Sequence, residues 1–342
     1  MSMKRHSSSR SRLMSPHRIS KTIWAPMHFQ ALKAACELRI FDPIKKGAAT
    51  RDRIARAIKA NPRATGMLLD ELCALKLLSK SKNRYRLTDE AANFLVSDSL
   101  TSMLGFVEHS VMRQQAWGNL AKAVKKGGPV FSDGPGEREK FFKLLVRQIF
   151  PSSYATATNL AADVALPRSK DLRILDVAAG SAAWSLPFAQ KHKKARVTAL
   201  DFPIVLKVTR EFAKRLGVHD RYEYLPGNVR GTNFGAKKYD LILLGHICHS
   251  EGAKHSKRLI AKSARALKPG GRLLIMDMVP NEERTGPRFP VAFALNMLLH
   301  TTEGDTFTFS QYRSWLRAAG LARIEQLKSA AYGCDVISAV RP

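Results

Sequence analysis

Three clusters of residues along the chain have the types and spacing to do chemistry. Arg173-Ile174-Leu175-Asp176-Val177 is a short β-rich run carrying a carboxylate, and it opens into the small-residue stretch Ala178-Ala179-Gly180-Ser181-Ala182. Small side chains at such a strand-to-helix turn let the backbone approach a ligand, and the helix that follows offers free N–H groups. Asp201 closes a second run, Arg196 to Asp201. A carboxylate at the end of that strand can accept both hydroxyls of a ribose, so the two clusters together point to a nucleoside-containing ligand. The third cluster, His246, Cys248 and His249, stands just beyond the apolar run Tyr239 to Leu244. Open α/β sheets bind ligands beyond the carboxyl ends of their strands. With His255 nearby, this cluster also invites a metal. A metal needs converging ligands and a third anchored residue, and helical spacing of histidines is easily met by coincidence, so no metal is expected.

The Gly180 loop alone leaves the cofactor open. A dinucleotide fingerprint, G-x-G-x-x-G, falls here on Ala178, Gly180 and Ala183, which keeps a single glycine. A methyl-transfer loop has an acid, one spacer and then G-x-G-x-G; Asp176 and Gly180 match it, while Ala178 and Ala182 depart. Alanine can replace glycine where the backbone has negative φ, at some cost in space near the ligand.

The elements that must position these residues follow from the hydrophobic pattern. From residue 166 to 342, short β-rich runs alternate with helical segments, which predicts an α/β, Rossmann-like unit with a parallel sheet covered by helices on both faces. Residues 21–100 read differently. Ala31, Leu32, Ala35, Cys36, Leu38 and Ile40 predict a helix ending near Phe41-Asp42-Pro43. Thr50 can cap a second helix with Ile54, Ala57 and Ile58 on its apolar face, and Pro62 opens a third carrying Met67, Leu68, Leu72 and Leu75. With the strand-like Arg84 to Leu87, these make a winged helix. Its third helix presents Asp70 and Glu71, which phosphates repel, so dimerisation is favoured over DNA reading. Residues 101–165 read as a helical connector and substrate wall. Residues 1–20, rich in Ser and Arg and without an acid, read as a disordered basic tail.

Composition agrees with two globular units. The chain has 342 residues, 45% hydrophobic and 25% charged, enough for a sizeable core. No apolar run approaches the roughly 20 residues of a bilayer span, so no membrane association is expected. Cys36, Cys73, Cys248 and Cys334 are scattered, which fits reduced thiols in a cytoplasmic setting. The net charge of +29 is spread over both halves and lacks aromatic-interleaved basic strands or a G-x-x-G clamp, so nucleic acid is not the expected partner.

Downstream segments decide the class. Ala266-Leu267-Lys268-Pro269-Gly270-Gly271-Arg272 turns into the strand Leu273 to Asp277. The order of pieces resembles the small-molecule S-adenosylmethionine-dependent O-methyltransferases, the family of the caffeate and acetylserotonin enzymes with an N-terminal winged-helix dimerisation domain. The resemblance runs from about Lys21 and includes Ala31 to Asp42, Trp117 to Pro129, the D-x-A-x-G loop and Asp201-Phe202-Pro203. It continues through Gly227-Asn228-Val229, Ile247-Cys248-His249, Leu267 to Gly271 and Phe309 to Gly320. It implies S-adenosylmethionine as cofactor and a homodimer. Ala178 and Gly180 would skirt the methionine part, Asp201 would hold the ribose, and Asn228 with Val229 would flank the adenine. Asp176, Phe202, Gly227 and Gly245 complete the expected cofactor-binding set. Asn228 stands where the family usually has Asp, Gly245 where it often has Lys, and Ser250 where Asp often follows the histidine. His249 falls at the family's catalytic base, and an imidazole titrating near neutrality suits removal of a hydroxyl proton. Of the two acids that commonly orient this base, Asp277 matches the first, while Thr306 occupies the second position.

The acceptor is expected to be a small aromatic or polyketide-like metabolite. Met103, Phe106, His109, Trp117, Phe150, Tyr154, Phe293, Asn296, Met297 and His300 are the expected lining, with ordinary core as the competing assignment for each. Two other functions fit the same sequence: methylation of nitrogen or carbon on this scaffold, and a basic winged-helix nucleic-acid binder with a vestigial cofactor fold.

Overall fold

A computed structural model describes residues 15–108, 115–130, 136–166, 171–327 and 334–342. The chain divides into two compact units, Met1–Ser99 and Leu100–Pro342.

In the first unit the helix His17–Glu37 begins inside the stretch read from sequence as a tail. It stops at Glu37, with Arg39 in a left-handed conformation at φ 53°, and a short helix Phe41–Lys45 follows. Pro43 therefore lies within a first turn rather than beyond a helix end, because the N–H it lacks would have no intrahelical partner there. The helix Arg51–Ala57 starts after Thr50, whose side chain makes no capping bond. Asn61 does cap the helix Pro62–Ala74, accepting from Ala64 N–H at 3.1 Å. Leu69 and Leu72 carry that helix's buried face, whereas Met67 is exposed. The hairpin of β1 (Leu78–Ser81) and β2 (Arg84–Leu87) comes next, then the helix Asp89–Phe94. Both carboxylates of the helix Pro62–Ala74 are engaged within the unit. Asp70 accepts from Lys80 Nζ at 2.7 Å and Tyr85 O–H at 3.0 Å, and Glu71 pairs with His28 Nδ1 at 2.7 Å.

The second unit is built on a seven-stranded sheet in the order β5-β4-β3-β6-β7-β9-β8. Its strands are β3 (Arg173–Val177), β4 (Arg196–Asp201), β5 (Tyr222–Pro226), β6 (Tyr239–Gly245), β7 (Leu267–Asp277), β8 (Ala322–Leu327) and β9 (Asp335–Val340). The central runs are apolar and β-branched because both faces are covered: every residue of β6 is buried. One apolar cluster packs Val146, Phe150, Trp184, Phe188 and Phe212 against the sheet, and another packs Cys248, Leu259, Ile260, Tyr312 and Trp315. The strands β5, β4, β3, β6 and β7 pair in parallel, as expected, and β9 runs antiparallel to both β7 and β8. The strand order turns at β3 between β4 and β6, so the carboxyl ends of these three strands face one crevice, where such folds bind ligands. Among the described residues no helix is long and apolar enough to cross a membrane.

Candidate active site

Asp201 ends β4, and both of its oxygens meet the loops beside it. Oδ2 accepts from Gly180 N–H at 2.8 Å and Oδ1 from Phe202 N–H at 2.7 Å. Each carboxylate oxygen has a further lone pair, so capacity for two hydroxyls remains. Burial pushes this carboxyl up to about 6, against those two donors. Asp176, one strand over, is fully buried, and neither of its oxygens has a hydrogen-bond partner among the described residues. Burial pushes it up to about 7.

The loop between these acids keeps a glycine-like backbone without the glycines. Gly180 has φ 58°, but Ala178 and Ala182 also stand at φ 56° and 59°. The two alanines therefore do not meet the negative-φ condition under which alanine replaces glycine without strain. Left-handed alanine costs roughly 1–2 kcal/mol, partly offset by glycine's greater unfolded-state entropy. Ala178→Gly and Ala182→Gly are each expected to stabilise the protein by about 1 kcal/mol, a Tm rise of about 2–4 °C for a unit of this size. Calorimetric melting checks this; an unchanged or lower Tm in both variants contradicts it.

Asn228 turns back on its own chain, Oδ1 accepting from Arg230 N–H at 2.8 Å, and Val229 packs against the core. Gly227 is required by a close approach, since a Cβ would stand 2.3 Å from Thr232 Oγ1. This loop is tied to the helix Cys248–Ala266 by Lys262 Nζ, which donates to Val229 and Thr232 carbonyls at 2.5 and 2.8 Å, and by Arg230 to Glu251 at 2.7 Å. At the end of β6, Gly245 has no room for a side chain. Its Cβ would lie 2.2 Å from Trp184 Cδ1, so an indole from the Gly180 loop fills the space. Sequence reasoning passed over Trp184, because only three-dimensional contact reveals what Gly245 accommodates.

The imidazole cluster begins one residue later. His246 is left-handed at φ 55°, lies edge-on to Trp184 at 5.2 Å, and has a buried Nε2 with no hydrogen-bond partner among the described residues. Burial, and then His249, push His246 down to about 4, so its ring is neutral. His249 sits in the first turn of the helix Cys248–Ala266, buried, with Nδ1 2.6 Å from Asp277 Oδ1 and its backbone N–H 3.1 Å from Oδ2. Asp277 ends β7, the neighbour of β6 in the sheet, which brings together residues 28 positions apart. Burial alone would raise Asp277. The His249 ring and hydrogen bonds from His249 and Tyr312 outweigh it and hold the carboxyl below its ordinary value. An ionised Asp277 makes Nδ1 of His249 the donor, leaving the Nε2 lone pair free to take a proton.

The expected lining residues fall on several elements of the second unit. Phe293, on the helix Arg288–His300, lies edge-to-face with the His249 ring at 5.0 Å, and Phe289 is 5.6 Å further along. Met297 is buried, Asn296 half-buried, and His300 exposed and stacked on Phe141 at 6.5 Å. Met103 and Phe106 are half-buried near the helix Leu104–Glu108, and Trp117 is partly exposed. Phe150 is fully buried in the core between Tyr154 at 5.0 Å and Phe212 at 4.1 Å, while Tyr154 is half-buried against it and its O–H donates to Gln190. His109 lies outside the described residues.

Two buried carboxylates at adjacent strand ends, near an Asp-held imidazole on this strand order, have the chemistry for group transfer from a nucleoside cofactor. The comparisons name the group. Residues 21–97 match the O-methyltransferase dimerisation domain and residues 117–322 the O-methyltransferase domain, so the chain belongs to the O-methyltransferase family. It is 28% identical over 322 residues to the 3-hydroxy-5-methyl-1-naphthoate 3-O-methyltransferase of Streptomyces sahachiroi, covering 91% of this chain and 90% of that one. A crystal structure of a putative O-methyltransferase from Nostoc punctiforme superposes with a TM-score of 0.82 at 28% identity, over 96% of this chain and 100% of that one. Human N-acetylserotonin methyltransferase in complex with S-adenosylmethionine shares the fold, with a TM-score of 0.76 at 23% identity over 97% and 99% of the two chains. The protein is an S-adenosylmethionine-dependent O-methyltransferase acting on small molecules, with an N-terminal dimerisation domain.

Proposed function

We propose that the enzyme methylates a hydroxyl of a small aromatic or polyketide-like metabolite, with His249 as general base. The buried His249–Asp277 pair at 2.6 Å carries this reading. When bound, S-adenosylmethionine supplies an electrophilic methyl carbon on a sulfonium. Asp201 would accept the ribose hydroxyls, the Ala178 to Gly180 turn would border the methionine part, and Val229 with Asn228 would flank the adenine. His249 Nε2 would take the acceptor's hydroxyl proton, leaving the oxygen nucleophilic toward the methyl group that the cofactor would supply. Asp277 keeps Nδ1 as donor and stabilises the imidazolium that forms. The Phe293 ring edge-on to His249 supplies an apolar border suited to a flat acceptor. The relatives named for a hydroxynaphthoate and for acetylserotonin agree with that class. Screening hydroxylated aromatic and polyketide acceptors with labelled S-adenosylmethionine tests the reading. Transfer to none of them, with transfer to amines instead, contradicts it.

The enzyme works as a homodimer through its first unit. Ile19, Ile23, Trp24 and Met27 on the helix His17–Glu37 are 65%, 63%, 61% and 60% exposed, an apolar stripe too large to leave in water. Ile23→Asp combined with Trp24→Asp is expected to convert a dimer into a monomer by light scattering. A parent that is already monomeric, or a variant that stays dimeric, contradicts the assignment.

A further inference from the structure

The resemblance to the family leads to an expectation of two acids around the base, yet the second position holds Thr306, and Asp277 has acquired a different neighbour. Thr306 is fully buried, and its Oγ1 has no partner among the described residues. Tyr312 reaches Asp277 instead. Its hydroxyl donates to Oδ2 at 2.7 Å, beside His249 N–H at 3.1 Å, while Oδ1 receives His249 Nδ1 at 2.6 Å and Met278 N–H at 2.9 Å. Four donors thus fill the carboxylate's coordination and leave it one orientation.

The tyrosine is itself rigidly placed. It lies on the helix Phe309–Ala318, whose start is fixed by a reciprocal capping box between Thr308 and Gln311. Its ring is fully buried, edge-on to Phe307 at 5.9 Å and Trp315 at 5.4 Å. Across from it, Gly304 lets the preceding segment close on the base, since a Cβ there would stand 2.7 Å from the His249 carbonyl. Asp305 N–H donates to that carbonyl at 2.9 Å.

We propose that Tyr312 is a positioning residue for the methyl transfer, its hydroxyl orienting Asp277 so that the carboxylate engages His249 Nδ1–H, in place of the missing second acid. The proposal rests on the reading of His249 as the base. The other titratable groups facing the pair are His246 at the end of β6, Cys248 at the start of its helix and Cys334 just before β9. Burial pushes both thiols and the Tyr312 phenol up and His246 down, so all four are neutral near pH 7. Glu251, the next carboxylate along the helix, is paired with Arg230. The charge acting on the imidazole is therefore that of Asp277, and the donors on Asp277 set how strongly it holds an imidazolium.

The sign of the effect follows. Removing the Tyr312 hydroxyl leaves Oδ2 with one donor fewer, so its negative charge is less dispersed and the protonated imidazole is favoured. In Tyr312→Phe, the His249 imidazole titration followed by NMR is expected to move to higher pH by roughly 0.5–1 unit. The acid limb of the kcat profile should move with it, and kcat at neutral pH should fall about three- to tenfold, with cofactor KM unchanged. The His249→Ala spectrum assigns the resonance, and matched melting curves exclude a folding defect. A titration midpoint identical to the parent's overturns the positioning role. A midpoint that moves while the rate profile stays fixed overturns the base reading, and with it the catalytic part of the proposal.

Discussion

His249→Ala is expected to lower turnover by about 10²–10⁴-fold while leaving the dissociation constant for S-adenosylmethionine nearly unchanged. The separation of the two effects follows from position. His249 lies beyond β6 and contacts Asp277 and the Phe293 ring, whereas Asp176 and Asp201, the carboxylates proposed for the nucleoside, stand on β3 and β4. The imidazole is buried, so its removal leaves a cavity and takes one donor away from Asp277 Oδ1. Melting curves must accompany the kinetics. Loss of cofactor binding or of folding would mark a structural histidine, and full activity would point to another base. Asp277→Asn is a harsher change than its size implies, because the new NH2 group must face one or more of the four donors that surround the carboxylate.

The second large effect is expected at Asp201. Its carboxylate serves two loops at once, so Asp201→Ala removes the proposed ribose acceptor and also leaves Gly180 and Phe202 N–H groups unpaired. Cofactor affinity should weaken by about 1–3 kcal/mol, roughly five- to 150-fold, measured by calorimetry. A pH dependence accompanies it. Burial holds this carboxyl near 6, so below that pH it is protonated and accepts less well. Affinity is therefore expected to fall as pH drops from about 7.5 to 5 in the parent, and to lose most of that slope in Asp201→Ala. Equal affinities for parent and variant across that range would remove Asp201 from the cofactor site.

The parts of this architecture that were readable from sequence are those written locally. Arg173 to Val177 and Arg196 to Asp201 are apolar runs ending at small or acidic residues, and both strands appear with the expected bounds. Pro62 after Asn61 carries its own helix-start chemistry. What escaped depends on contacts between distant segments. The antiparallel β9 is short and apolar, and its direction is set by pairing with β7 rather than by its own residues. Ala178 and Ala182 carry a left-handed backbone that their side chains argue against; the turn between β3 and its helix imposes it. Trp184 and Gly245 explain each other only once the loop folds over the strand end. Tyr312 lies 35 residues from Asp277 on a helix that reads as ordinary core, and nothing in its helical spacing marks the hydroxyl as polar cargo.

The most direct test of the account follows a 13C-labelled methyl group from S-adenosylmethionine into a hydroxylated aromatic acceptor, with the parent enzyme and His249→Ala run side by side. The carbon shift of the product reports the atom methylated, and the two time courses report the dependence on the imidazole. The account predicts a methyl ether formed by the parent and formed at least about 100-fold more slowly by the variant. A label on nitrogen or carbon, or the same ether at the same rate from both proteins, would contradict it.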